Sequence, residues 1–154
     1  MKVIVTGSRL WRDGALIRAQ LNTCLNEMPI GDRLIVIHGA CRSGADQYAD
    51  AWARWHVRHD MPVSLETHPA RWEDPCRISC RPGHRRQDPR GWDVCPQAGF
   101  YRNEHMVRQG ADLCLAFIAD QSKGATHCAT YAGRAGIPVR RFNDTAEAVT
   151  PALF

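Results

Sequence analysis

The stretch "VIVTGSR", residues 3–9, runs three β-branched apolar residues into a polar, glycine-containing turn with no alternation of polar side chains. A run of this kind suits a strand covered on both faces, the condition of a parallel sheet flanked by helices. Similar junctions recur further along. Leu34 to Ile37 runs into His38-Gly39-Ala40-Cys41-Arg42-Ser43-Gly44, and Leu113 to Ile118 leads on to Ser122-Lys123-Gly124-Ala125-Thr126. After the first junction Asp13 offers a helix cap. Ile17, Leu21, Cys24, Leu25 and Met28 then fall on one helical face, which Pro29 and Gly31 end.

Working outward, a second helix starts at Ala45 with Tyr48, Ala49, Trp52 and His56 on its inner side, and Pro62 to Glu66 reads as a shorter third strand. A helix spans Phe100 to Gln109. Another runs from Gly124 to Arg134 with small inward residues, Ala125, Cys128, Ala129 and Ala132, and is closed by Gly136. Ile137 to Phe142 is a fifth strand, and the proline near its start points to a sheet edge. Asp144 to Val149 reads as a last short helix. Strands alternating with helical crossovers predict an α/β fold: a three-layer Rossmann-like sandwich with a mostly parallel five-stranded sheet. Residues 1–154 read as one domain, with an insertion at about 69–99.

The composition, 44% hydrophobic and 23% charged, is that of a globular protein. No apolar run approaches the roughly 18 residues of a membrane span. The N-terminus lacks a signal peptide's apolar stretch, so the expected location is cytoplasmic, with no membrane partner. The net charge of +4 is modest, although all but Lys2 and Lys123 of the 20 basic residues are arginine.

Ligands of open α/β sheets sit beyond the carboxyl ends of the strands. Three such ends carry glycine turns that open helices, and the free amides of a helix N-terminus attract anions. Arg9 and Lys123 add positive charge. A phosphate-bearing ligand is the expectation. None of the turns fits GxxxxGK[ST] or GxGxxG, which excludes an ordinary P-loop ATPase or dinucleotide dehydrogenase.

Residues 75–95, "PCRISCRPGHRRQDPRGWDVC", read as forming neither strand nor helix and as having almost nothing to bury. Long irregular loops in compact domains are functional or disordered. Cys76-x3-Cys80-x3-His84-x10-Cys95 supplies three thiolates and an imidazole, the donors zinc prefers in a closed, structural tetrahedron. His68 and His105 are alternative imidazoles for His84, and Asp74 is a weaker candidate. Such a knuckle would fix the start of the helix carrying Arg102 and Asn103, and would stand near the pocket as a lid.

Four segments, "VIVTGSR", "IHGACRSGADQYADAWA", "YRNEHMV" and "QSKGATHCATYAGRAGIPVRRF", together resemble the YspA-related branch of the SLOG superfamily. The resemblance implies a Rossmann-like domain that binds a nucleotide or nucleotide-derived molecule, and a homo-oligomer. By matching positions, Gly7, Ser8 and Arg9 fall on the first-strand motif. Gly39, Gly44, Ala45 and Asp46 fall on the second-loop pattern ending in Gly-Ala-Asp. Arg102 and Asn103, with Met106, stand where phosphoribohydrolase relatives carry Arg-Lys-x-x-Met. Ser122, Lys123, Gly124 and Thr126 resemble the relatives' phosphate loop, although its paired glycines are missing and Ala125 interrupts its end.

Those hydrolases place acidic residues after the loop, whereas here Thr126 is followed by His127, Cys128 and Ala129. Cleaving a glycosidic bond calls for a group that stabilises developing positive charge or positions water. The resulting expectation is a sensor or sequestering module, with Asp46 or Glu104 as the carboxylates that would have to reach in for hydrolysis. A different reading is nucleic-acid binding, with the knuckle's arginines on phosphates and Trp72 and Trp92 stacked on bases. The interspersed acids Glu73, Asp74, Asp88 and Asp93 weigh against it.

Overall fold

The computed structural model describes residues 1–144. Apart from Asp144 itself, the helix expected over Asp144 to Val149 lies outside that range.

Five strands form one parallel sheet: β1 (Lys2–Gly7), β2 (Leu34–His38), β3 (Val63–Thr67), β6 (Leu113–Ile118) and β7 (Val139–Asn143), in the order β3-β2-β1-β6-β7. Between β3 and β6 the short strands β4 (Arg86–Gln87) and β5 (Asp93–Val94) pair antiparallel as a separate hairpin. The helices are α1 (Gly14–Glu27), α2 (Ala45–Arg58), α3 (Ala98–Arg108) and α4 (Lys123–Arg134). The α/β sandwich expected from the apolar runs is therefore present. β7 lies on an edge, where a proline at its start costs no ladder bond.

Each of the central strands β2, β1 and β6 alternates between two cores and has no exposed residue on either face. Val3, Val5, Leu34, Val36, Leu115 and Phe117 pack with Ile17, Leu21, Ala49 and Trp52 of α1 and α2. Ile4, Ile37 and Cys114 pack on the other side with Met106, Val107, Cys128 and Ala132 of α3 and α4. The register puts Val3 between Val36 and Leu113, so each pleat level is apolar across the three central strands. On α4 the residues Ala125, Cys128, Ala129 and Ala132 are all buried, so that side chains as small as methyls and thiols form its contact face. Asp13 caps α1 by accepting the Leu16 amide at 2.9 Å.

One expectation fails. The insertion was read as devoid of strands, yet it contains the β4–β5 hairpin. The hairpin is secured from outside by Arg85, whose Nε donates to Asp93 Oδ2 at 2.6 Å and whose Nη1 donates to the Asp74 carbonyl at 2.8 Å.

Candidate functional site

The strand order reverses between β1 and β6, since β2 and β3 lie to one side of β1 while β6 and β7 lie to the other. A crevice of about 370 Å³ opens at that point, beyond the carboxyl ends of the strands. All three glycine turns reach it. Gly7 and Arg9 come from the first, Gly39, Cys41 and Asp46 from the second, and Ser122 and Gly124 from the third. Arg102 and Asn103 of α3 form another part of the wall.

The turns are tied to one another rather than merely adjacent. Ser8 is buried, and its hydroxyl donates to the Ala119 carbonyl at 2.8 Å while accepting the Ala119 amide at 2.7 Å. The Ser8 carbonyl in turn accepts the amides of Trp11 and Ala45, the latter at 3.3 Å. Gly44 sits against that carbonyl with φ +70°, where a Cβ would both strain the backbone and collide with it. Ser8, Gly44 and Ala45 thus lie behind the crevice and hold its parts in register.

Arg102 and Asn103 are similarly engaged. Arg102 Nη1 donates to the carbonyls of Gly39 and His68, and its Nε donates to Asn103 Oδ1 at 2.8 Å. Asn103 Nδ2 donates to the Gly124 carbonyl at 3.0 Å, joining α3 to the start of α4. Arg9, by contrast, is an exposed guanidinium on the crevice with no hydrogen-bond or ion-pair partner among the described residues.

Lys123 and Thr126 do not face the crevice. They line a shallow groove on the outer side of α4 with His127, Tyr131 and Arg134. Ser122, whose Oγ accepts the Ala125 amide, is the N-cap, and one helical step later the side chains point elsewhere. Glu104 is also outside the crevice, near Arg77 at 3.2 Å and Arg108 at 3.5 Å.

Other lining residues carry no motif. Asp120 reaches the crevice from the β6–α4 turn, where Asp120 and Gln121 have φ of +49° and +51°. Two successive non-glycine residues in the left-handed region store backbone strain at the rim. Trp72, Pro96 and Phe100 close the side nearest the insertion. A bulky aromatic in the insertion was the available signal, but not the direction in which it points.

His38 is buried and does not line the crevice. Its Nδ1 accepts the Ala40 amide at 3.0 Å, so it caps the second turn. Burial pushes its pKa below the ordinary imidazole value, against the pull of the Asp46 and Asp50 carboxylates. Its Nε2 lies 3.2 Å from Asp50 Oδ1, but out of line for a hydrogen bond.

Beside the crevice, the donor atoms of Cys76, Cys80, His84 and Cys95 all lie within 4.8 Å of one another, an arrangement that could hold a metal ion. Cys80 and Cys95 Sγ are 4.0 Å apart, and His84 Nε2 lies 2.9 Å from Cys76 Sγ and 3.6 Å from Cys95 Sγ. Metal–sulfur bonds of about 2.3 Å give sulfur–sulfur edges of about 3.8 Å in a tetrahedron, close to what is seen. His84 is the imidazole of the cluster. His68 instead contacts Glu66 at 2.6 Å, His105 packs edge-on to His68, and Asp74 meets Arg71.

The Tyr101 hydroxyl lies 2.7 Å from Cys80 Sγ, and this contact holds the thiol's pKa below its ordinary value. Burial pushes the Cys95 thiol up. Tyr101 precedes Arg102, so the cluster is tied to the helix that crosses the crevice. The insertion's arginines are largely paired within the chain: Arg77 with Glu104, Arg85 with Asp93 and Arg90 with Asp88. These pairs remove most of the free cations on which a polynucleotide reading relied.

No helix among the described residues is long and apolar enough to cross a membrane. Comparison with known proteins gives two matches. Residues 1–74, which hold β1 to β3, α1 and α2, match the model of the YspA, cpYpsA-related SLOG family. The chain is also 40% identical over 144 residues to the Gene 61 protein of Mycobacterium phage D29, covering 93% of this chain and 97% of that protein. No solved structure matches.

Proposed function

The chain belongs to the YspA, cpYpsA-related SLOG family, and on that premise we propose that it binds a nucleotide or nucleotide-derived molecule in the crevice between β1 and β6. The observation that carries this reading is the convergence of three glycine turns on one crevice beside the exposed guanidinium of Arg9, which has no partner among the described residues. A phosphate placed there meets backbone amides at a helix N-terminus together with a fixed positive charge. Asp46 and Asp120 offer carboxylates to sugar hydroxyls, and about 370 Å³ suits a small ligand. The role is that of a sensor or sequestering module. Three thiolates and an imidazole, each taken by the ion and leaving no open position, favour zinc in a structural role in the insertion.

Melting measured with a panel of nucleotides, cyclic nucleotides and ADP-ribose tests the reading. At least one should raise the melting temperature, and Arg9→Ala should abolish the shift without lowering the melting temperature of the ligand-free protein. If no nucleotide shifts the wild type, the reading fails.

A second reading, N-glycosidic hydrolysis, is favoured by one fact: Asp46 and Asp120 enter the crevice although no acid follows Thr126. In that case a free base accumulates on incubation, seen by mass spectrometry, and Asp120→Asn stops it while binding persists.

A further inference from the structure

We infer that the segment carrying the Cys3His cluster forms the base-recognising wall of the crevice, with Trp72 as the residue that selects a planar ring. This rests on the nucleotide-binding reading above and specifies which part of the ligand the insertion holds. The crevice is chemically divided. One side is turn backbone with Arg9, and the other is Trp72 and Phe100, both contributed by the insertion and the helix it leads into. The first can hold phosphate but offers no flat apolar face. The second offers aromatic faces, and its one lining guanidinium, Arg102, is already engaged with the Gly39 and His68 carbonyls and with Asn103.

Trp72 is positioned by the cluster itself. The Cys95 amide donates to the Trp72 carbonyl at 2.7 Å, so a cluster ligand holds the tryptophan's backbone. The indole packs over Gly99, where even a Cβ would stand 3.2 Å from its edge. Arg85 fixes the next stretch of chain by donating to the carbonyls of Glu73 and Asp74, at 3.4 and 2.8 Å. From Cys80 the link runs through Tyr101 to α3. The metal therefore sets the position of the aromatic wall, while the phosphate side depends on Ser8, Asn103 and the sheet.

The consequence is a separation of affinities. Ribose 5-phosphate and the four ribonucleoside 5′-monophosphates share a phosphate and differ by the base. By calorimetry on the intact, metal-loaded chain, the best of the nucleotides should bind about tenfold tighter than ribose 5-phosphate, the usual size of a base–aromatic stack. Trp72→Ala should reduce nucleotide affinity to that of ribose 5-phosphate and leave ribose 5-phosphate unchanged, and Trp72→Phe should restore most of the difference. Trp72→Leu, which keeps apolar bulk without a π face, serves if the alanine variant loses its metal. Removing the ion with a chelator should reproduce the Trp72→Ala pattern.

If none of these compounds binds the wild type, this inference falls, and the crevice reading falls with it when cyclic nucleotides and ADP-ribose also fail to bind. If nucleotides bind but the Trp72 variants leave them unchanged, or weaken ribose 5-phosphate to the same degree, only this inference falls. Discrimination that survives chelation overturns the part assigned to the metal.

Discussion

Phe117 in β6 is fully buried, with its ring 5.4 Å from Trp11 and 4.9 Å from Phe142, whereas in the insertion Ile78 stands fully in water and Trp92 is half-exposed. The sheet is held by apolar surface removed from solvent on both faces. The insertion has little such surface. It is held by one cluster of donors, a two-residue hairpin and the hydrogen bonds of Arg85. Two parts of one chain thus reach order by different physics, and they should fail under different insults.

Metal withdrawal gives the largest effect. Ion binding in small zinc peptides contributes on the order of 10 kcal/mol, and the insertion has nothing of that size to replace it. With a chelator, trypsin should cut at Arg77, Arg86 and Arg90 while the sheet keeps its circular dichroism and its amide protection. An insertion that stays uncut when metal-free would break the contrast. Next in size, Phe117→Ala should cost about 3–5 kcal/mol in urea unfolding by leaving a cavity between β6 and its neighbours. Its metal content should remain that of the wild type, and loss of the ion would mean that the two regions are not independent.

The smallest effect concerns pH. Burial lowers the folded pKa of His38, so the unfolded chain binds a proton first as pH falls. Stability is complete above the ordinary imidazole value of about 6.5 and is lost as pH drops from there toward the folded pKa. His38→Asn, whose carbonyl oxygen can still accept the Ala40 amide, should flatten the stability profile between about pH 7 and 5. An unchanged profile would show that His38 does not titrate with unfolding.

The central strands were legible because Val3–Val5, Leu34–Ile37 and Leu113–Ile118 are continuous apolar runs, and few other arrangements bury both faces of a strand. The cluster was legible because thiols and an imidazole at short spacing mark a group that could hold a metal ion regardless of backbone shape. The hairpin was not, since strands of two residues have no periodicity and their pairing rests on Arg85 and Asp93 at a distance in sequence. Lys123 and Thr126 fell on the wrong side because helical phase after the Ser122 cap, rather than nearness to the turn, sets side-chain direction. Asp120 and Trp72 were placed by left-handed backbone and by a single long-range amide, neither of which leaves a pattern in the residues themselves.

Cys95 offers its sulfur to the cluster and its amide proton to the carbonyl of Trp72. A free-energy coupling between two sites acts equally in both directions. On the proposed reading, a molecule seated against the indole would therefore raise the affinity for the ion, and cells rich in that molecule would keep the protein loaded where metal is scarce.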